Sequence, residues 1–303
     1  MAGRRSRPRR RAPRSAAPGG LSLVTVGGGA PLADHPARWS RPHARMVVVA
    51  SGKGGVGKSN LAANLAVALG ARGARVLLLD GDLAQANLDL LLGLHPRFDV
   101  QHVLSGDKTL EEIVVPGPNG LRLVPAASGV PELADLDDYR REFLLRGLGQ
   151  LDGDADLVLI DTASGVSRAT LSFCLAADDV LLVTTPEMPA FSDAYALVKL
   201  LQASGLTRPP HLLVNMAGSA EEAEETTHRI RLVARRFLRL ELDVWGQIPF
   251  DPTVPRAVRL QEPVVAAFPK SPAAEAYRAL AARLWSPAPE PSHEQPTPQR
   301  LEA

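Results

Sequence analysis

The sequence predicts an α/β protein built on a doubly wound, mostly parallel sheet of about seven or eight strands with helices on both faces. Three observations carry that expectation. Short apolar runs of strand length recur at Met46–Ala50, Arg75–Leu79, Leu157–Asp161, Val180–Thr184, Leu212–Asn215 and Leu242–Ile248. Segments with helical apolar spacing lie between them, as parallel crossovers require. The first run leads directly into Ser51-Gly52-Lys53-Gly54-Gly55-Val56-Gly57-Lys58-Ser59, after which Leu61, Leu65, Ala66 and Leu69 fall at helical spacing.

That loop matches G-x-x-x-x-G-K-[ST] without a mismatch and sits on the strand-to-helix turn the motif needs, so it is read as a phosphate cradle. Glycines 52, 54, 55 and 57 let the backbone turn its N–H groups toward a phosphate, and the helix N-terminus adds partial positive charge. Lys58 is expected to reach the β- and γ-phosphate oxygens of ATP. Ser59 is expected to ligate Mg²⁺, with Val56 and Asn60 completing the cradle. The competing reading is a glycine-rich turn with a chance Gly-Lys-Ser.

Two further acidic stretches meet the cradle in this fold. Arg75–Leu79 runs into Asp80-Gly81-Asp82, which places two carboxylates at the carboxyl end of a strand, where open α/β sheets bind ligands. Asp80 is expected to support Mg²⁺ and its waters, Asp82 to position a water near the γ-phosphate, and Asn87 either to respond to that phosphate or to cap a helix. Leu157–Asp161 is an apolar strand ending in an acid. Asp161 is expected to hold Mg²⁺ through a water, and the N–H of Gly165 in the following loop to face the γ-phosphate. Asn215, at another strand end, is either an adenine contact or a helix cap, and Pro249-Phe250-Asp251-Pro252 is a rim loop able to pack on the base.

Composition bounds the rest. A chain of 303 residues, 45% apolar and 4% aromatic, can bury a large core in one domain. It has no apolar run of membrane-spanning length, and Cys174 as sole cysteine fits a reducing cytoplasm and leaves no cysteine-pair metal site. Residues 1–45 hold ten Arg and one acid, Asp34, leaving 24 basic against 32 acidic residues in 46–303. The globular part is thus acidic, and nucleic-acid binding would have to come from the tail or a local patch. We read 1–45 as a disordered Arg/Pro-rich tail, or as upstream sequence ahead of a start at Met46, and 286–303 as a Pro-rich tail.

Between these motifs the pattern places short helices at Val100–Leu104 and Leu110–Ile113, a strand at Leu121–Val124 and a helix from about Pro131 to Leu148. Further helices are expected near 190–203 and over 219–239, and a last one in which Tyr277, Leu280, Ala281, Leu284 and Trp285 share a face. Glu221, Glu222, Glu224 and Glu225 read as a solvated face favoured by the helix dipole.

Lys53 is the residue an ordinary phosphate loop does not need. With it the loop reads K-G-G-V-G-K-S and resembles the deviant Walker A motif of the MinD/ParA group of P-loop ATPases. The resemblance runs from Met46 to about Trp285 through D-G-D-L, L-I-D-T, V-N-M and I-P-F-D. Within the group the chain looks most like the FlhG branch, also called FleN or YlxH, on Asn87-Leu88-Asp89, Leu91-Leu92-Gly93-Leu94, Pro125–Val130 and Asp193–Leu197. The resemblance implies a cytoplasmic, Mg²⁺-dependent ATPase that dimerises with ATP, Lys53 crossing to the partner's nucleotide. It also implies an activating or effector protein such as a flagellar GTPase, a role in flagellar number or placement, and peripheral contact at the inner face of the membrane.

Two features of that branch are missing from the sequence: a D-Q-A-x-x-L-R stretch before the loop, and a basic amphipathic helix near the C-terminus, where the last helix instead has core spacing. A partitioning ATPase acting on DNA is the runner-up, and a nucleotide-dependent scaffold without turnover a third reading. Iron–sulfur relatives are excluded by the single cysteine, and tyrosine-kinase relatives by only three tyrosines.

Overall fold

The structure, a computed structural model, describes residues 44–83, 85–127, 138–151, 153 and 155–285. The expected tails at 1–45 and 286–303 lie outside these residues except for Ala44 and Arg45, as does the first part of the helix expected from Pro131. Strands β1 (Arg45–Ala50), β2 (Val76–Gly81), β3 (Val115–Pro116), β4 (Arg122–Val124), β5 (Leu157–Thr162), β6 (Asp179–Thr184), β7 (His211–Ala217) and β8 (Val244–Pro249) form one sheet. Its order is β3-β4-β2-β5-β1-β6-β7-β8, parallel throughout except for the short β3, which pairs antiparallel with β4.

The β-branched and leucine-rich strands are buried on both faces, so alternate residues feed two cores. Val47, Val49, Leu78, Leu159, Leu181 and Leu213 pack on α1 (Lys58–Gly70) and the C-terminal helices; Val48, Leu77, Leu79, Ile160, Leu182 and Leu212 pack on the helices opposite. Short helices α2 (Leu88–Leu91), α3 (Val100–Leu104) and α4 (Leu110–Ile113) precede the described part of α5 (Asp138–Leu151). Helices α6 (Arg168–Ala176), α7 (Met188–Ala203) and α8 (Ala220–Val233) join the next strands. Helices α9 (Thr253–Leu260), α10 (Val264–Ala267) and α11 (Pro272–Leu284) close the chain.

The structure adds what the pattern did not contain. Edge strand β3 is two residues, one a proline, and carries no alternation to detect. Helices α6, α9 and α10 are short and surface-lying. The helix expected over 219–239 is α-helical only to Val233 and then makes a π turn, Ala234–Leu238. Strand β1 begins at Arg45, one residue before the expected boundary. Its side chain pairs with Asp179 at 2.7 Å and donates to the Leu284 carbonyl at 2.9 Å. On α11, Tyr277, Leu280, Ala281 and Leu284 are buried in the core. No helix among the described residues is long and apolar enough to cross a membrane.

Candidate functional site

Strand order reverses around β1, which lies between β5 and β6, and ligands of open α/β sheets bind at such a switch point. The loop Ser51–Gly57 leaves β1 there and opens α1. Helices α3, α4, α6, α8 and α11 are capped by Asp99, Thr109, Ser167, Ser219 and Ser271 side chains. Helix α1 is capped by Gly57 with no side-chain bond and has no acid in its first turn, so its N–H groups remain for an anion. Gly57 is required twice: its φ is 86°, and a Cβ would stand 2.4 Å from Asn215 Nδ2. At Gly52 a Cβ would meet the Asp193 carbonyl oxygen at 2.1 Å, which seats the loop against α7.

The charged groups converge beneath this loop. Lys58 is buried, and Asp161 is fully buried with neither carboxylate oxygen hydrogen-bonded. Burial pushes Asp161 up to about 7, against the lowering pull of the Ser59 hydroxyl and the Lys58 ammonium. Asp80 stands beside it in the β2–β5 register and is pushed up to about 8, first by burial and then by Asp161. The Asp80 oxygens also accept the N–H groups of Asn87 and Leu88 at 3.0 Å each and of Asp82 at 3.3 Å, shaping the loop before α2. A hydroxyl, an orphaned carboxylate and a second carboxylate form a hard oxygen donor set that fits hydrated Mg²⁺. No cluster of three or more ligating side chains exists among the described residues, so water and phosphate oxygens would complete the coordination.

Asp82 is half-buried on the same edge. Asn87 occupies the N-cap position of α2 yet makes no cap bond with its side chain, which leaves the amide free of the capping role. Asn60, in the first turn of α1, accepts the Asn64 amide on both its backbone and side-chain oxygens.

Several expectations need correction. The Gly165 N–H, expected to face a γ-phosphate, donates to the Ser51 carbonyl at 2.9 Å, tying the β5 loop to the phosphate loop. Asn215 is buried and its amide donates to the Val56 carbonyl at 2.7 Å, so it braces the loop rather than offering that donor to a base, and α8 takes its cap from Ser219. The Asp251 carboxylate is consumed by structure: it accepts the Thr253 N–H and hydroxyl and the Ala273 N–H, fastening α9 to α11. Burial works to raise its pKa, and those hydrogen bonds hold it below the usual carboxylate range. Pro249 ends β8 half-buried, and the exposed neighbours Phe250 and Met216, not Asp251, present apolar surface at that rim.

Lys53 lies at the surface and its ammonium meets Glu187, the residue before α7, at 2.5 Å. No sequence motif marked Glu187 as its partner, because the two are 134 positions apart.

A lysine-bearing phosphate loop, a strand-terminal acid at 161 and this strand order are jointly decisive when compared with known proteins. The model of the CobQ/CobB/MinD/ParA nucleotide binding domain matches residues 47–264. The chain belongs to the MinD/ParA family. Among curated MinD/ParA relatives it is 41% identical over 243 residues to the antiactivator FleN of Pseudomonas aeruginosa, covering 80% of this chain and 86% of that protein. It is 33% identical to the flagellum site-determining protein YlxH of Helicobacter pylori, over 73% and 74% of the two chains. The septum site-determining MinD of Pyrococcus horikoshii, solved with Mg-ADP, superposes with a TM-score of 0.68 at 29% identity, covering 80% of this chain and 96% of that one.

Proposed function

We propose that this MinD/ParA-family chain is an ATP-dependent dimerisation switch that hydrolyses ATP and regulates the number or placement of flagella. The observation that carries the switch is Lys53. It is surplus to its own phosphate site, half-buried on the loop, and its ammonium meets Glu187 in a surface ion pair, an interaction worth little against a phosphate. Exposed apolar side chains on the same edge, Val166 after β5 and Met188 at the start of α7, suit a face that is covered part of the time. The flagellar role rests on the likeness to FleN and YlxH.

In this reading the N–H groups of the glycine loop and the Lys58 ammonium hold the β- and γ-phosphates. Ser59 and Asp161, with Asp80 behind, would hold Mg²⁺, which would supply charge neutralisation at the phosphates when bound. Asp82 orients the attacking water, and Lys53 leaves Glu187 to contact the nucleotide across the dimer. Turnover is slow until an effector protein engages the dimer, and release of phosphate returns the monomer.

Light scattering with ATP and Mg²⁺ tests this. Asp82→Ala should bind nucleotide, form a persistent dimer and stop turnover; Lys53→Ala should bind nucleotide and stay monomeric. A monomeric Asp82 variant, or a Lys53 variant that pairs normally, would defeat the switch.

A further inference from the structure

The two segments that flank the phosphate loop carry opposite charge. Strand β1, which feeds that loop, lies between β5 and β6 and is parallel to both, so the chain leaving β5 and the chain leaving β6 emerge at the carboxyl edge on either side of it. The segment after β5 presents Val166 at 45% exposure and then Arg168, while the segment after β6 presents Glu187 and then Met188 at 62% exposure. Each side therefore shows one apolar side chain beside one charge, cationic after β5 and anionic after β6.

Arg168 gains nothing from its own helix. It is the first residue of α6, next to the Ser167 cap, and the first turn holds no acid, so the positive end of the helix dipole repels its guanidinium. The Ser172 hydroxyl donates to the Arg168 carbonyl at 2.8 Å, but the exposed guanidinium has no carboxylate within ion-pair distance among the described residues. Glu187 has the converse position. It holds the N-cap place of α7 without a side-chain cap bond, and its carboxylate meets the Lys53 ammonium. When Lys53 leaves for the nucleotide across the dimer, Glu187 loses that cation on a face that is being covered, where a carboxylate without a partner opposes association.

We propose that in the ATP-bound dimer Arg168 of each protomer pairs with the partner's Glu187, and Val166 packs on the partner's Met188, so that the second copy supplies the cation that Lys53 withdraws. The inference deepens the dimer reading and rests on it. A two-fold interface lays a surface patch on its own copy, so the patch must complement itself. Apolar against apolar and cation against anion meet that requirement when the β5 side of one protomer faces the β6 side of the other. A second copy is the occupant this face specifies, because it carries both halves of the complement.

Charge reversal in the full chain separates pairing between protomers from effects within one. An Arg168→Glu dimer would oppose two carboxylates at each contact, and a Glu187→Arg dimer two guanidiniums. With Mg²⁺ and a non-hydrolysable ATP analogue, light scattering should show the dimer dissociation constant of each variant raised about tenfold or more. An equimolar mixture of the two variants should dimerise within about threefold of the wild-type constant, because both contacts of the mixed dimer regain opposite charges. Circular dichroism, and unchanged analogue affinity at protein concentrations below dimerisation, would establish that each variant folds with its nucleotide site intact. Arg168→Glu dimerising like the wild type, or a mixture no better than its components, would overturn the pairing and leave the switch to be decided by the Lys53 and Asp82 variants. A wild-type chain that stays monomeric with the analogue would remove the switch and this pairing together.

Discussion

The two edges of the sheet treat buried charge in opposite ways. At the amino edge, Asp179 is 8% exposed and fully occupied: it accepts Arg45 from β1 at 2.7 Å and His211 from β7 at 3.0 Å. The His211 hydrogen bond, and then that of Arg45, hold its pKa below the usual range against the opposing effect of burial. The network continues, His211 stacking on Trp245 at 4.0 Å and Arg283 of α11 reaching Asp243 at 3.1 Å. At the carboxyl edge, Asp161 is deeper still, and neither of its carboxylate oxygens has a hydrogen-bond partner, with only the nearby Ser59 hydroxyl and Lys58 ammonium pulling on it. A buried charge with partners ties elements together, whereas one without them marks a place completed from outside.

The comparison predicts that the carboxyl edge fails in binding and the amino edge in stability. The largest effect is expected for Lys58→Ala. A charge-assisted hydrogen bond contributes about 1.5–3 kcal/mol, so ATP affinity measured by calorimetry should fall at least about tenfold, with loss of turnover and an unchanged melting temperature. Normal affinity would remove the cradle from the site.

Next is the pH dependence of the nucleotide-free protein. Asp80 and Asp161 rise from 3.8 to about 8 and about 7, so between these values the folded chain binds more protons than the unfolded one. Their contribution is fully present below about pH 4 and is lost as the pH rises through 7 to 8. Calorimetric melts should show the decline, Asp161→Asn should flatten it, and Mg²⁺ with nucleotide should reverse it at pH 8. A melting temperature that Asp161→Asn leaves unchanged at pH 8 would count against an uncompensated charge.

Asp179→Ala should behave in the opposite sense, costing about 1–2 kcal/mol of stability by denaturant unfolding without altering ATP affinity, since its partner Arg45 is 40% exposed and can be rehydrated. The smallest effect is expected for a chain beginning at Met46, which loses only Ala44 and Arg45 from the described fold. It should hydrolyse ATP normally and lose under about 1 kcal/mol; failure to fold would mean that the residues before Met46 belong to the domain.

Much of the carboxyl edge was legible because its chemistry is local in sequence. Phosphate binding needs consecutive N–H groups, so Gly52 through Ser59 are contiguous, and Asp161 is marked by the apolar strand it ends. What was illegible involves distance. Asn215 reads equally as a base contact or a cap until Val56 is placed against it. Asp251 looks free in I-P-F-D until Ala273 arrives from α11, and the Gly165 N–H looks available until the Ser51 carbonyl is beside it.

The sequence by itself determined the sheet, the cradle and the acid at 161, because each is set by hydrophobic period, glycine conformation and residues adjacent along the chain. Only the tertiary structure decided which polar groups are already spent and which remain for a ligand. That distinction belongs to Lys53 with Glu187, to Asn215 with Val56, and to the pairing of Asp179 and the isolation of Asp161. In each case the satisfying partner, or its absence, depends on packing between elements far apart in the chain, which no local pattern encodes.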